Sequence, residues 1–194
     1  SKHLLSKSYV QMLKIVIDGN ISSGKTTQLS KLEKVGFKVK REPFNEWPLE
    51  LYYSDPKRWG LTFQLKVLNS HSQTETDDCI YERFPGSGID VFWPAMEKND
   101  IEDDVYKSMY SHLSWIPDIY ILIDKSPNLC YSHLVERGQI GDESVSLKYI
   151  ETLHKNYNSM FEKLDCIKVK INGDQSIHQV NHDIIKFITE NTFA

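Results

Sequence analysis

Residues Lys14–Leu32 read KIVIDGNISSGKTTQLSKL, and the reading of this stretch decides the fold. Lys14 to Ile17 has the look of a short buried strand, and Gln28, Leu29 and Leu32 recur afterwards at helical spacing. Between them, Gly19-x-x-x-x-Gly24-Lys25-Thr26 fits the phosphate-loop pattern in the strand–loop–helix setting which that pattern requires. The residue types follow from the task. Glycines let the backbone curl so that its N–H groups converge into an anion nest at a helix N-terminus. Lys25 then reaches the β- and γ-phosphates, and the Thr26 hydroxyl is placed to ligate Mg²⁺. An ordinary Gly-rich turn is the rival explanation, but a chance match in such a chain is on the order of one in a hundred. Nucleotide binding is therefore expected at Gly19, Asn20, Ile21, Ser22, Ser23, Gly24, Lys25, Thr26 and Thr27.

The chain has 194 residues, enough for one domain (1–194) with a sizeable core. Such a domain buries about 70% of its unfolded surface. A net charge of −4 gives no electrostatic footprint for nucleic acid. The longest apolar run, Ile119 to Ile123, is a strand's length and cannot span a bilayer. Residues 1–12, SKHLLSKSYVQM, are read as an N-terminal extension that lacks the apolar and Arg-rich patterns of export or mitochondrial signals. Cys79, Cys130 and Cys166 are odd in number and widely spaced, which argues against a zinc ribbon or a disulfide framework. Cytoplasmic residence is the expectation.

Five apolar strands are expected: KIVIDG, FKVKREP, DCIYERF, DIYILID and CIKVKING. Helical patterns cover Lys25 to about Val35, Pro56 to His71, Ile101 to Trp115, Pro127 to Arg137, Ser146 to Leu164 and Ser176 to Glu190. Ser126 is read as the N-cap before Pro127. The acidic run from Glu97 to Asp104 is read as a helix N-terminus. Strands alternating with helices predict an α/β fold, a three-layer parallel sheet with helices on both faces. Ligands in such folds sit at the carboxyl ends of the strands, which singles out Gly19–Thr26, Glu42, Glu82–Arg83 and Asp124.

A phosphate loop alone leaves GTPases, motors and small-molecule kinases open. No glycine here has an aspartate three residues before it and no Asn-Lys-x-Asp occurs, so the GTPase branch is poor. A kinase for a small acceptor needs a base, an acid beside Mg²⁺, a cation and a lid. Glu42 precedes Pro43, which holds the chain extended and projects the carboxylate at the sheet edge; a solvated strand-end acid would show the same spacing. Glu82 and Arg83 emerge together beside the loop, as would a surface ion pair. Asp124 is a rival Mg²⁺ ligand, or bonds the turn ahead of Pro127. His178 and His182 stand one helical turn apart but read as a solvated face rather than a metal pair.

The stretches GNISSGKTT, REPFNEW, YYSDPKRWGLTFQ, YERF and LKYIETLHKNY together resemble the deoxyribonucleoside kinases, the group of mitochondrial thymidine kinase, deoxycytidine kinase, deoxyguanosine kinase and the broad-specificity insect enzyme. The likeness runs from about Leu13 to Phe161 with the motifs in order. It implies a five-stranded P-loop fold with a lid at about 133–143, use of ATP and Mg²⁺, and a homodimer. It also implies roles: Glu42 as base for the nucleoside 5′-hydroxyl, Glu82 beside Mg²⁺, and Arg83 near the 5′-oxygen and phosphate. Tyr53 and Asp142 match the pair on the sugar 3′-hydroxyl; Gln64 matches the amide on the base edge; Trp47, Phe63 and Phe92 match the pocket walls, for which core packing is the competing reading. An amide suits a pyrimidine edge because it offers a donor and an acceptor side by side.

Deoxycytidine kinases carry an Arg and an Asp at positions matching His71 and Gly88, and Val67 matches the valine of the insect enzyme. Loss of that charged pair is expected to make room for a 5-methyl group, favouring thymidine, with deoxycytidine tolerated. His71 either touches the base or is a partly exposed helical histidine. The chain departs from the family at its lid: of Arg-x-x-x-Arg-x-Arg only Arg137 remains, with His133 and Gln139 at the other positions. Phe84 stands where the family has a serine, and Asp142 replaces a longer glutamate, for which Glu143 could serve. The expected reaction is ATP-dependent phosphorylation of a pyrimidine deoxynucleoside, with Lys25 and Arg137 adding to the charge stabilisation. The rivals are a thymidylate or other nucleoside-monophosphate kinase and an inactive nucleotide-binding regulator. The short chain would suit a virus-encoded enzyme.

Overall fold

The computed structural model describes residues 13–139 and 141–192; the expected extension at 1–12 and position 140 of the expected lid lie outside the described residues. A five-stranded sheet runs in the order β2-β3-β1-β4-β5, with every pair parallel. Its strands are β1 (Lys14–Gly19), β2 (Val39–Lys40), β3 (Cys79–Glu82), β4 (Ile119–Asp124) and β5 (Ile167–Asn172). The central strands β1, β3 and β4 are buried almost throughout, as expected where helices cover both faces. The helices are α1 (Lys25–Lys34), α2 (Leu49–Ser54), α3 (Pro56–Ser72), α4 (Pro85–Ser87), α5 (Asp100–Leu113), α6 (Pro127–Arg137), α7 (Leu147–Lys163) and α8 (Ile177–Thr192). Ile15, Ile17, Leu29, Leu32, Ile121, Ile184 and Ile188 pack one face of the sheet, between it and α1 and α8. Val16, Tyr81, Tyr120, Leu153 and Tyr157 pack the other face, largely against α7.

Three departures from the sequence reading have local causes. The second strand is two residues long, not seven. Beyond Lys40 the next ladder position is taken by a side chain: the Glu42 N–H donates to Glu82 Oε2 at 3.2 Å. Helix α2, unforeseen, occupies the six residues between Pro48 and Asp55. Asp55 then caps α3, its Oδ1 accepting from Arg58 N at 3.1 Å with Pro56 in the first turn. A run of tight turns follows β3: α4, a wide turn at Gly88–Phe92 and a 3₁₀ turn at Trp93–Ala95. Gly86 makes it possible, because a Cβ there would stand 2.3 Å from the Phe84 ring. Other expectations hold. Asn99 and Glu102 form a reciprocal capping box at the start of α5, inside the acidic run. Ser126 does precede α6 as its N-cap, but its side chain makes no capping bond, and Asp174 Oδ1 accepts from the Ser126 N–H at 2.8 Å.

Candidate active site

Parallel pairing of β1 and β3 sets Ile17 opposite Glu82, so the phosphate loop and the Glu82–Arg83 pair leave the sheet side by side. Ser22 (φ 58°) and Gly24 (φ 98°) take left-handed conformations, which turn the loop N–H groups inward. Gly19 admits no side chain: a Cβ would stand 2.6 Å from Ser23 Oγ and 2.8 Å from the Ile123 carbonyl. Asn20 braces the loop from outside, its Nδ2 donating to the Ile150 carbonyl of α7 at 2.9 Å. Lys25 curls back to donate to the Gly19 and Asn20 carbonyls, both at 2.9 Å. Burial, and then the Arg83 charge, lower its amine from 10.5 to about 8 against the pull of three carboxylates. Buried Ser22 Oγ and Ser23 Oγ have no hydrogen-bond partner, and Thr26 and Thr27 are exposed at the first turn of α1. A buried cation, orphaned hydroxyls and an open helix N-terminus fit a polyphosphate. Glu82 fits a metal beside it, since burial and then the Glu42 charge raise its carboxyl, a strain that a divalent cation would relieve.

Behind the loop lies a buried charge cluster. Arg83 has φ 62°, a left-handed conformation costing an arginine about 1–2 kcal/mol, and its neighbours account for it. The guanidinium reaches back to donate to Glu42 Oε2 at 2.6 Å, Tyr157 Oη at 3.0 Å and the Gly19 carbonyl at 3.1 Å, and lies 4.9 Å from the Phe92 ring. Glu42 Oε1 meets His71 Nε2 at 3.0 Å. Burial works against the Glu42 charge, yet Arg83, His71 and Lys25 together hold its carboxyl below the usual range. His71 is buried, which overturns its reading as a partly exposed helical histidine, and its Nε2 is turned to Glu42. Asp18 went unnoticed in the sequence. It is fully buried, accepts from Ser87 Oγ at 2.5 Å, Tyr157 Oη at 2.8 Å and Tyr120 Oη at 3.2 Å, and lies 3.4 Å from Arg83 Nε. Its signal was an acid closing an apolar strand just ahead of the loop. Ser87 also accepts from the Phe84 N–H, so a serine three residues on supplies a hydroxyl beside the position where Phe84 replaces one.

Trp47, Phe63 and Val67 form one apolar cluster, with Trp47 edge-on to Phe63 at 6.0 Å. Tyr52, missed in the sequence, stacks on Phe63 at 4.5 Å. Phe92 packs in the cluster under Arg83, edge-on to Tyr157 at 6.3 Å. Gln64 is buried with Oε1 lacking a partner, as for an amide awaiting a ligand. Gly88 leaves less room than its missing side chain implies, because the Tyr106 hydroxyl stands 2.5 Å from where its Cβ would be. Tyr53 packs under Gly141, whose Cβ would meet the ring at 2.2 Å, and so lies beside Asp142. Asp142 in turn is held by Arg137, at 3.0 Å from Nε and 2.6 Å from Nη2, and by the Gln139 N–H. Glu143 accepts from the Gly141 N–H at 3.0 Å. Asp124 lies 3.6 Å from His154 of α7. Among the described residues, no three His, Cys, Asp or Glu side chains converge as a metal cluster.

A five-stranded parallel sheet with a phosphate loop after its central strand and helices around it is the P-loop nucleoside kinase fold. A sequence profile of the deoxynucleoside kinase family matches residues 15–193, and the chain belongs to that family of phosphotransferases. It is 29% identical over 182 residues to the putative kinase protein 143R of Invertebrate iridescent virus 6, covering 88% of this chain and 93% of that one. It is 29% identical to the probable deoxycytidine kinase FPV151 of fowlpox virus, covering 83% of this chain and 79% of that one. Human mitochondrial thymidine kinase 2 is also 29% identical, over 72% of this chain and 61% of its own. Among solved structures, deoxyadenosine kinase from M. mycoides with bound dCTP superposes with a TM-score of 0.82 at 22% identity, covering 92% of this chain and 100% of that one.

Proposed function

We propose that the protein transfers the γ-phosphoryl group of ATP to the 5′-hydroxyl of a pyrimidine deoxyribonucleoside, with thymidine favoured over deoxycytidine. The observation that carries this is Glu42: a buried carboxylate clamped by Arg83 and His71 beside the phosphate loop. An acid so placed can accept a proton from an alcohol and would repel an acceptor that already bears a phosphate. ATP with Mg²⁺, when bound, supplies the phosphoryl group and neutralises charge on its oxygens. Lys25 and the loop N–H groups hold the phosphates, and Thr26 and Glu82 hold the metal. Glu42 takes the 5′-hydroxyl proton as the oxygen bonds to phosphorus and ADP leaves. Arg83 and Arg137 face the developing charge, the latter after parting from Asp142. Asp142 and Tyr53 then hold the sugar 3′-hydroxyl, Gln64 the base edge, and Trp47, Phe63 and Val67 the base plane.

The apolar cluster and the amide support a base-reading pocket. The uncharged Gly88 and the turned-away His71 leave it without the charged pair that marks a cytosine reader. An exposed apolar stripe on α5, Ile101, Val105 and Met109 at 77%, 38% and 42% accessible, supports a homodimer built on that helix. No described helix is long and apolar enough to cross a membrane. With viral proteins among the relatives, we place the enzyme in the cytoplasm, that of the host if it is virus-encoded. Incubation with ATP and, separately, thymidine, deoxycytidine, deoxyguanosine, deoxyadenosine and dTMP decides the reaction. Thymidine 5′-monophosphate should accumulate fastest. Product from dTMP alone would make it a nucleotide kinase, and no product from any acceptor would leave a nucleotide-binding regulator.

A further inference from the structure

We propose that His71 is a positioning residue that fixes the carboxylate of Glu42 for proton abstraction, and that it does so through Nε2 rather than by touching the nucleobase. The inference rests on the reading of Glu42 as the base and deepens it. The two carboxylate oxygens are held from opposite partners, Oε2 by Arg83 at 2.6 Å and Oε1 by His71 at 3.0 Å. Because a carboxylate only accepts, the donor of this bond is Nε2 and not the other ring nitrogen, Nδ1. That Nδ1 is buried and has no partner, so the ring is held by Glu42 and by packing. The packing is specific. Trp47 meets the imidazole edge-on at 5.9 Å, and Trp115 Nε1 donates to the His71 carbonyl at 2.8 Å. A cavity of about 10 Å³ borders the pair, room for no more than about one water.

The placement on α3 gives the contact a purpose. Gln64, Val67, Leu68 and His71 form the buried stripe of that helix, spaced at one and two turns. The same face that presents the amide and an apolar wall to a ligand therefore also holds the carboxylate. Trp47 extends the connection, since its Nε1 donates to Ser70 Oγ at 3.1 Å while its ring touches both Phe63 and His71. Around Glu42 the other charged groups are Arg83, Lys25 and Glu82, so His71 is the donor that comes from the helix and not from the sheet.

The test compares two amides. The amide nitrogen of His71→Gln falls near the place of Nε2 and keeps the donor, whereas that of His71→Asn falls near Nδ1 and abandons Glu42. Expected are a kcat within about 3-fold of wild type for Gln and about 10–100-fold lower for Asn, with nucleoside KM within about 3-fold in both. His71→Leu fills the volume without a donor and replaces the Asn form if that variant does not fold. In parallel, ¹³C NMR of labelled glutamate should show the Glu42 carboxyl titrating at a higher pH in the Asn form than in wild type, a readout that needs no turnover. Equal damage in Gln and Asn, a loss confined to KM, or an unmoved Glu42 titration would overturn the inference. If wild type phosphorylates no nucleoside while the Glu42 titration moves as stated, the proposed reaction fails and the positioning contact stands.

Discussion

Lys25→Met isolates the cost of keeping a cation in the loop with no phosphate to meet it. The amine is displaced from 10.5 to about 8, mainly by burial and then by Arg83. At 1.36 kcal/mol per pH unit, the folded protein spends about 3 kcal/mol to stay protonated there. The direction in pH follows from proton binding. Below about pH 8 folded and unfolded chains both carry the proton and the full penalty applies. Between about 8 and 10.5 the unfolded chain keeps a proton that the folded protein has shed, so the penalty is relieved as pH rises. About 2 kcal/mol of it should return between pH 7 and pH 9.5. Other groups titrate in that range: burial pushes the Cys79, Cys130 and Cys166 thiols up to about 11, and these act the opposite way. Cys79 and Cys166 are shared by both proteins and cancel in the difference; Cys130, whose thiol the Lys25 charge draws down, is pushed further up in the variant and adds slightly to the gain of wild type. The hydrogen bonds to the Gly19 and Asn20 carbonyls lost in the variant, about 1 kcal/mol each, offset the difference curve without changing its slope, because they do not depend on pH over this range while the amine stays a donor. Urea unfolding of both proteins at several pH values measures the difference curve. Wild type should gain on the variant by about 2 kcal/mol over that interval. A flat difference, or wild type losing ground, would mean that the amine is not buried among these charges.

Glu42→Gln should lower kcat for the preferred nucleoside by about 10²–10⁴-fold while ATP still raises the melting temperature; undiminished turnover would remove the base. Gly88→Ala puts a Cβ 2.5 Å from the Tyr106 hydroxyl, an overpacking expected to cost about 1–3 kcal/mol. Adding Tyr106→Phe should recover most of that loss in thermal melts, and a purely additive double variant would show that the clash lies elsewhere. Gly141→Ala meets both a positive φ of 91° and the Tyr53 ring at 2.2 Å. It should raise nucleoside KM several-fold while ATP binding by calorimetry is unchanged; an unaltered KM would separate Tyr53 from the acceptor.

The charged end of the candidate site was legible because its residues sit at recognisable local positions. A loop pattern, an acid before Pro43 and an acid–arginine pair after β3 lie at strand ends, and the parallel sheet brings strand ends together whatever else the chain does. Helix α6 was predicted to the residue, since Pro127 and Gly138 mark its two ends in the sequence itself. What escaped depends on partners far along the chain. Asp18 acquires its meaning from Ser87, Tyr120 and Tyr157, none of them within 60 residues of it. His71 is one histidine on an amphipathic helix until the fold sets Glu42 against it. The turns from Pro85 to Ala95 follow from close approach of Gly86 and Gly88 to aromatic side chains, which no period of hydrophobicity records.

The distribution of satisfied and unsatisfied charge ranks the acceptors. Asp18, Glu42 and Arg83 are mutually paired, and the Arg83 guanidinium is committed to Glu42, Tyr157 and the Gly19 carbonyl. Lys25, by contrast, is held by two backbone carbonyls, and Glu82 by one backbone N–H, while burial disfavours the charge of both. Both groups adjoin the phosphate loop, and on the proposed reading a triphosphate would meet the amine and its metal the carboxylate. On the acceptor side the arginine is already paired with an acid, and making it bind a second phosphate would require breaking that pair in a buried setting, a cost of about 3–5 kcal/mol. A neutral alcohol needs no such break. On the proposed reading it has only to place its proton against an oxygen of Glu42 already bonded by His71 or Arg83, an arrangement that suits a nucleoside better than a nucleotide as the group to be phosphorylated.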